Sequence, residues 1–438
     1  MRHAECMKES NSLFSLPNYP AWFGADTFLL AGSAVHWIVI SVMAYQLSGS
    51  ITVAGWFSTA RGIMSVITQV TGGTFIDRHD HRTLILVQAG SCALIWFTMG
   101  MLHVAGLLTF PLFAGLCLTS SAIFGFLGGT TNASLIRVVG PSRYAQAESL
   151  NQGRDAAVNT AGSPLGAALF GVNQAFPFFA SAVCDAVAFV SALFLHLPDI
   201  SEASPTSPEN PGEGTMTSAQ AGGQPANKSP SFLIDLIDGW RWVLASKTIV
   251  SAVGIVGLCQ FAVFALHQAV NLSLVQMGTD PLLISLSNVG MAAGTMVGSV
   301  VSMRICNNIP VGRGIVAILA LTAVSYLPMA LWQNYPAIIV STFLSSLPMP
   351  LFAALANGFV FSKTPVDKQG RTRSAVMTAV MLFASGSGAL AGELIPRLGF
   401  GGFVYVMIAL MTLSATLAAL NPRIRHIPAS PEWPNVPL

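Results

Sequence analysis

The chain has 438 residues, of which 53% are hydrophobic and only 9% charged, and its formal net charge is +2. A soluble domain carries about 25% charged residues, so a surface that faces water on all sides is excluded, and the mean hydropathy of +0.64 agrees. The near-neutral charge gives no nucleic-acid footprint. Six cysteines (Cys6, Cys92, Cys117, Cys184, Cys259 and Cys306) are scattered without a CxxC pair, which suits small hydrophobic residues rather than a metal cluster.

In chain order, residues 1–20 are polar and mixed in charge, not a cleavable signal peptide, and form an expected cytoplasmic segment. Apolar runs follow at 21–47, 51–76, 83–106, 109–137, 145–171 and 177–197. Each is long enough to cross a hydrocarbon core of about 30 Å, which takes about 20 residues of helix. Residues 198–231 break the pattern. This stretch is rich in Pro, Ser and Gly and reads as a disordered cytoplasmic linker. Over 232–247, Phe232, Leu233, Leu236, Ile237, Trp240 and Val243 recur at helical spacing between charges, as in an amphipathic helix on the membrane surface. Six more apolar runs lie at 248–275, 282–306, 313–333, 336–362, 374–396 and 400–420, and a tail covers 421–438.

Strands of a membrane barrel would be about 10 residues long and strictly alternating. These runs are longer and apolar at most positions, so each is expected to be a helix with its backbone hydrogen bonds satisfied internally. The expected fold class is an all-α membrane protein of twelve transmembrane helices in two six-helix halves. Of 20 basic residues, 17 fall on one side when the segments alternate; only Arg397 lies opposite, and Arg61 and Arg154 sit in or beside spans. That bias puts both termini and the linker in the cytoplasm. The halves echo each other weakly: Gly162 and Gly166 in span five and Gly388 and Gly392 in span eleven share a four-residue spacing and a common shift along the chain. Duplicated halves around a central site are a transporter architecture.

Between spans two and three the chain reads Gly73-Thr74-Phe75-Ile76-Asp77-Arg78-His79-Asp80-His81-Arg82. This resembles the G-x-x-x-D-R-x-G-R-R loop of the major facilitator superfamily, with Gly73, Asp77, Arg78 and Arg82 in place. Asp80 replaces the second glycine and His81 one basic residue. Ala25-Asp26, Gln46-Leu47-Ser48-Gly49-Ser50, Asp185-Ala186-Val187-Ala188-Phe189, Asp238-Gly239-Trp240-Arg241 and Gln369-Gly370-Arg371 are similar to the branch holding the enterobactin exporter and macrolide-efflux proteins. The resemblance implies a secondary transporter of the bacterial inner membrane. It implies an exporter of a small amphiphilic molecule, siderophore or drug-like, acting by alternating access, as a monomer without a cofactor. The alternatives are an importer of a small metabolite and a membrane sensor or scaffold that keeps the fold. A phosphate-binding P-loop, H-E-x-x-H and G-x-S-x-G are all absent from the sequence, so neither an ATP-driven pump nor an embedded enzyme is expected.

In that superfamily the motif's carboxylate, here Asp77, meets the N-terminus of span eleven, near Ser374. A carboxylate there satisfies free N–H groups and favours the positive end of the helix dipole. Arg78 and Arg82 would pair with acids or carbonyls close by. A solvated basic loop is the simpler alternative. Span five keeps the spacing Gly153, Gly162, Gly166 of the exporters' glycine motif, but Ala167 and Ala168 stand where Gly-Pro is expected and Pro164 comes early. Proton antiport is compatible with this pattern and does not follow from it.

Ionisable residues inside spans are costly and face a cavity or a partner. The candidates are Asp26, Arg61, Arg154, Asp155, Asp185 and Glu393. Arg61 is the leading one for a central cavity, the alternative being a structural pair within the first half. Depth along the helices puts Asp26 level with Arg154. His36 and His267 sit in spans that line the cavity in the resembled superfamily, and histidine can carry protons near neutral pH. Trp37, Trp56 and Phe57 could stack on a flat substrate or anchor the outer interface.

Overall fold

A computed structural model of the chain describes residues 13–76, 78–140, 143–196, 247–305, 309–355 and 369–425. The expected linker over 198–231, nearly all of the surface helix over 232–247, Asp77, and the tail beyond 425 lie outside the described residues.

The described residues form twelve long helical units. They are α1 (Tyr19–Ser48), α2 (Ile51–Ile76), α3 (His81–Val104), α4 (Phe110–Val139), α5 (Tyr144–Val172) and α6 (Phe176–Leu193) in the first half. The second half has α7 (Lys247–Gln276), α8 (Pro281–Ile305), α9 (Val311–Trp332) and α10 (Tyr335–Leu355). It closes with one continuous helical stretch, Gln369–Leu420, broken at Gly399, whose φ of 70° and ψ of 166° only glycine adopts readily. We call the parts before and after Gly399 α11 and α12. Nine segments among the described residues are long and apolar enough to span by composition alone. One of these, Val380–Leu420, contains both α12 and most of α11. The helices α2 and α5 fall outside the nine; they carry Arg61 and the trio Glu148, Arg154 and Asp155.

Two expected spans are interrupted. The helix α4 pauses between Phe110–Leu127 and Thr130–Val139, at Gly128-Gly129. There Trp22 Nε1 donates to the Thr131 carbonyl and to Ser134 Oγ, both at 2.9 Å. The helix α9 pauses between Val311–Ser325 and Leu327–Trp332, just before Pro328, whose ring has no N–H to continue the ladder. Span five begins at Tyr144, so Arg154 and Asp155 are well inside it, and the helix runs on through Pro164.

Within the first half, α1 packs on α5 and α6, α2 on α4, and α3 on α6. In the second half α8 packs on α10, and α7 against the α11–α12 unit. Small residues set the distances. A Cβ on Gly166 would fall on the Val35 carbonyl oxygen, and one on Gly162 would meet the Ala34 side chain, so α5 lies directly against α1. On α2, Gly72 makes a close approach to the Phe126 carbonyl of α4.

The two halves meet along α2 and α11, α5 and α8, and α1 and α7. The α2–α11 contact is a seal at one end of the molecule. Thr52 Oγ1 donates to the Gly392 carbonyl at 2.8 Å, and the Ala389 N–H donates to Thr59 Oγ1 at 2.8 Å. A Cβ on Gly388 would stand 2.8 Å from the Gly55 carbonyl oxygen. Gly388 and Gly392 therefore join the halves, whereas Gly162 and Gly166 pack inside one half, and their shared spacing does not give them equivalent contacts. Away from the seal the halves part. On α11, Ser387, Gly388, Ala389, Ala391 and Gly392 are buried, while Met381, Leu382 and Phe383 are exposed. On α5, Gln152, Asn159 and Thr160 are exposed. Polar side chains exposed in mid-span face water rather than lipid. Arg78, Arg82, Arg143, Arg304 and Arg313 all lie at or beside helix ends on this open side.

Candidate functional site

Directly behind the seal, α1, α2 and α7 enclose a recess. It is lined by Ile40 and Ser41 of α1, by Ala54, Phe57, Ser58 and Arg61 of α2, and by Gln268, Asn271 and Leu272 of α7. The recess thus draws on both halves. Gln268 Nε2 crosses between them to donate to Ser58 Oγ at 2.6 Å.

Arg61 is the one ionised side chain in this lining. Its Nε donates to Ser121 Oγ of α4 at 3.2 Å, and its guanidinium carbon stands 5.9 Å from the centroid of the Phe57 ring. No carboxylate among the described residues pairs with it, and its other N–H groups have no protein partner there. The structural pair within the first half, the alternative reading of Arg61, is therefore not formed among the described residues.

Arg154 is the opposite case. Its Nη2 is paired with Asp26 Oδ2. Its Nε and Nη2 both reach Asp155 Oδ1, at 2.9 and 2.7 Å, and Nη1 donates to Thr27 Oγ1 at 3.2 Å. The guanidinium also lies over the Phe23 ring, 5.0 Å from its centroid. Both ends of the Asp26–Arg154 pair are largely buried, whereas Asp155 is 45% exposed. This cluster holds α1 to α5 near the open end. It shares no lining residue with the recess.

Adjacent residues of α1 have different fates. Trp37 is 65% exposed although α1 is an interior helix packed on several neighbours. It shares a helix face with Asp26, Leu30, Ser33 and Ser41, spaced three or four apart. That face looks into the space between the halves, one turn from the recess. His36, a candidate for the cavity, is turned about 100° away from Trp37 and is buried inside the first half. Its ring lies 3.9 Å from that of Trp96, and Nδ1 is 3.2 Å from Ser181 Oγ. Ser181 already donates to the Gly32 carbonyl at 3.0 Å, so its oxygen accepts from His36. His36 is thereby removed from the cavity lining, because α3 and α6 claim its face of α1. Asp185 is also inside the first half, 3% exposed, 3.0 Å from where a Cβ on Gly32 would be.

On α7 the half-buried positions Gln260, Phe261, Phe264, His267, Gln268 and Asn271 form one stripe. His267 lies on the edge of that stripe and its Nε2 is buried without a hydrogen-bond partner. Gln268 and Asn271, which carry the polar lining from the second half, do not stand out in the sequence. Their one signal is their place on the stripe of α7, one turn apart.

The loop between α2 and α3 is partly visible. Arg82 Nη2 donates to the Leu193 carbonyl at the end of α6, at 2.7 Å, which satisfies one of that helix's free carbonyls. Asp80, in the place of the motif's second glycine, caps α3. Its carboxylate accepts from the N–H groups of Arg82 and Thr83 and from Thr83 Oγ1. Partial burial raises its pKa, but these bonds and the nearby charge of His81 outweigh that and hold the carboxyl below its usual value. Arg78 is exposed. Trp56, 54% exposed, donates from Nε1 to Glu393 Oε1 at 3.0 Å across the seal, and Arg397 pairs with the same carboxylate at 3.0 Å. Among the described residues no group of three or more His, Cys, Asp or Glu is placed to hold a metal ion.

No protein-family model matches the sequence, and no curated protein matches it either. Solved structures do match in shape. The nucleoside transporter NupG superposes with a TM-score of 0.63 at 13% identity, over 91% of this chain and 97% of that one. A bacterial homologue of the human lysosomal transporter Spinster, inward-facing and unoccupied, gives 0.62 at 13%, over 94% and 98%. A bacterial homologue of the iron transporter ferroportin, in an inward-facing state, gives 0.62 at 15%, over 90% and 98%. At such identities the likeness speaks of architecture, and the architecture is the twelve-helix, two-half fold of the major facilitator transporters.

Proposed function

We propose that the chain is a secondary transporter that works by alternating access, with its substrate bound in the recess between the halves. One observation carries this reading: α2 and α11 close the halves together at one end, polar side chains of α5 are exposed in mid-span toward the other, and a recess lined by both halves lies directly behind the seal. A scaffold has no need of a polar face opened between two helical bundles. A transporter needs one that opens to each side in turn, and the α2–α11 seal is the element that would take two arrangements.

The distribution of basic residues supports an open end facing the cytoplasm, with both termini on that side. The geometry is then that of an inward-facing state, as in two of the compared structures. Export of a small amphiphilic molecule from a bacterial inner membrane rests on the motifs similar to the enterobactin-exporter and macrolide-efflux branch. Proton coupling fits the same branch. The Asp77 contact with α11 would form when the open end closes, which makes it a counterpart of the seal.

The test is transport by purified protein in proteoliposomes loaded with a mixture of small organic anions, cations and neutral amphiphiles, with release followed by mass spectrometry. Protein-dependent release of at least one class is expected. Release no faster than from protein-free liposomes, across the whole mixture and with a proton gradient of either sign, would refute the transporter reading.

A further inference from the structure

We propose that the recess is a binding site for the carboxylate of an amphiphilic organic monoanion, and that Arg61 is the residue that binds it. The proposal rests on the transport reading above and names the substrate class of that same site.

The two arginines of the first half differ in what engages them. Arg154 uses its guanidinium fully, on two carboxylates, a hydroxyl and a ring face. Arg61 engages one hydroxyl and one ring face. A guanidinium has five N–H donors and stays protonated in proteins. Inside a membrane span such a charge faces a water-filled cavity or an opposing group. Among the described residues no carboxylate is in reach, and none lies in the recess lining. In the proposed site the ligand supplies the opposing charge.

The number of charges fixes the ligand further. One guanidinium stands alone against neutral Ser41, Ser58, Gln268 and Asn271. It balances one negative charge. A phosphate monoester brings about −1.5 to −2 at neutral pH, and the surplus would be left unpaired in a site of low dielectric. A carboxylate matches the charge and takes the two parallel N–H groups of the fork. Ile40, Phe57 and Leu272 are buried, so the recess takes the carboxylate alone; the body of the ligand meets Trp37, exposed one turn toward the open end, which calls for an apolar, ring-bearing portion. Asn271 belongs to the other half. An anion shared between Arg61 and Asn271 holds the halves together at the seal, so binding favours the state in which the seal is closed.

The experiment uses the wild-type protein in detergent and phenylglyoxal, which modifies accessible guanidinium groups, with modification of Arg61 and Arg154 read by peptide mass mapping. The probes are 2-naphthoate, its neutral amide, the corresponding naphthylmethylammonium and naphthyl phosphate. 2-Naphthoate is expected to slow the modification of Arg61 about tenfold, the scale of a charge-assisted bidentate contact, and to leave Arg154 unchanged. The amide and the ammonium are expected to give no protection. Equal protection by the amide or the ammonium, or none by the carboxylate, overturns the proposal; stronger protection by the phosphate overturns the monoanion assignment. The same four compounds loaded into proteoliposomes separate the two readings. Carboxylate release that is lost in Arg61→Gln and partly kept in Arg61→Lys supports both. Release of the ammonium or amide alone leaves transport standing and overturns the anion site. Release of none counts against transport, while the protection result still decides the role of Arg61.

Discussion

At the scale of single residues, the two intramembrane arginines differ in their partners, and the proposed roles are cohesion for Arg154 and recognition for Arg61. Arg154 is bound on every side, and its removal would leave Asp26 buried without a counter-charge. Breaking a buried pair by deleting one partner costs about 3–5 kcal/mol, whereas deleting both charges together is far milder. Arg154→Gln is therefore expected to lower the melting temperature of the detergent-solubilised protein sharply, and the double variant Asp26→Asn with Arg154→Gln to recover most of the loss. A double variant as unstable as the single one would show that the pair does not hold α1 to α5. The level of Asp26 with Arg154 is readable from depth along the helices. The fate of His36 is not: it and Trp37 are neighbours in the chain, about 100° apart on the helix, and only packing shows which of them the other helices cover.

At the scale of elements, the seal depends on absent side chains. On α2 a Cβ at Gly55 would stand 2.9 Å from the Gly392 Cα and would collide with the Gly388 carbonyl. Gly55→Leu is expected to hold α2 off α11 and open the sealed end. The readout is a cysteine placed at Ser41, in the recess, and labelled by an impermeant thiol reagent from the sealed side. Its labelling rate is expected to rise about tenfold or more, since displacing one element past a packed interface shifts a two-state balance by at least about 1.4 kcal/mol. An unchanged rate in a well-folded variant would mean that the glycines do not form the barrier. The spans themselves are legible in the sequence, because a helix in lipid must be apolar along most of its length, and Tyr19–Ser48 and Pro281–Ile305 fall within a few residues of the runs 21–47 and 282–306. The pauses in α4 and α9 are not, since Gly128-Gly129 and Pro328 sit inside runs whose overall length and apolar content read as unbroken spans. Nor is the partner of each glycine pair: spacing tells that a helix can come close, not which helix comes.

At the scale of the whole molecule, the proposed cycle has the two six-helix halves rock as rigid bodies about the recess. The seal at α2–α11 and the gap lined by α5 are one state of that motion. In the proposed second state the open end closes, with Asp77 and its neighbours brought against α11, and the recess faces the opposite side. The two ends must then move in opposite senses. The most direct measurement is a pair of spin-label distances in proteoliposomes, on a background without native cysteines. One pair, at Leu107 and Met277, sits at the sealed end, just beyond α3 and α7 of opposite halves; the other, at Tyr144 and Met303, sits at the open end on α5 and α8. Two populations are expected at each end, with conditions that lengthen the first distance shortening the second. A single fixed distance at both ends, unmoved by substrate and by pH in a protein that transports, would contradict alternating access.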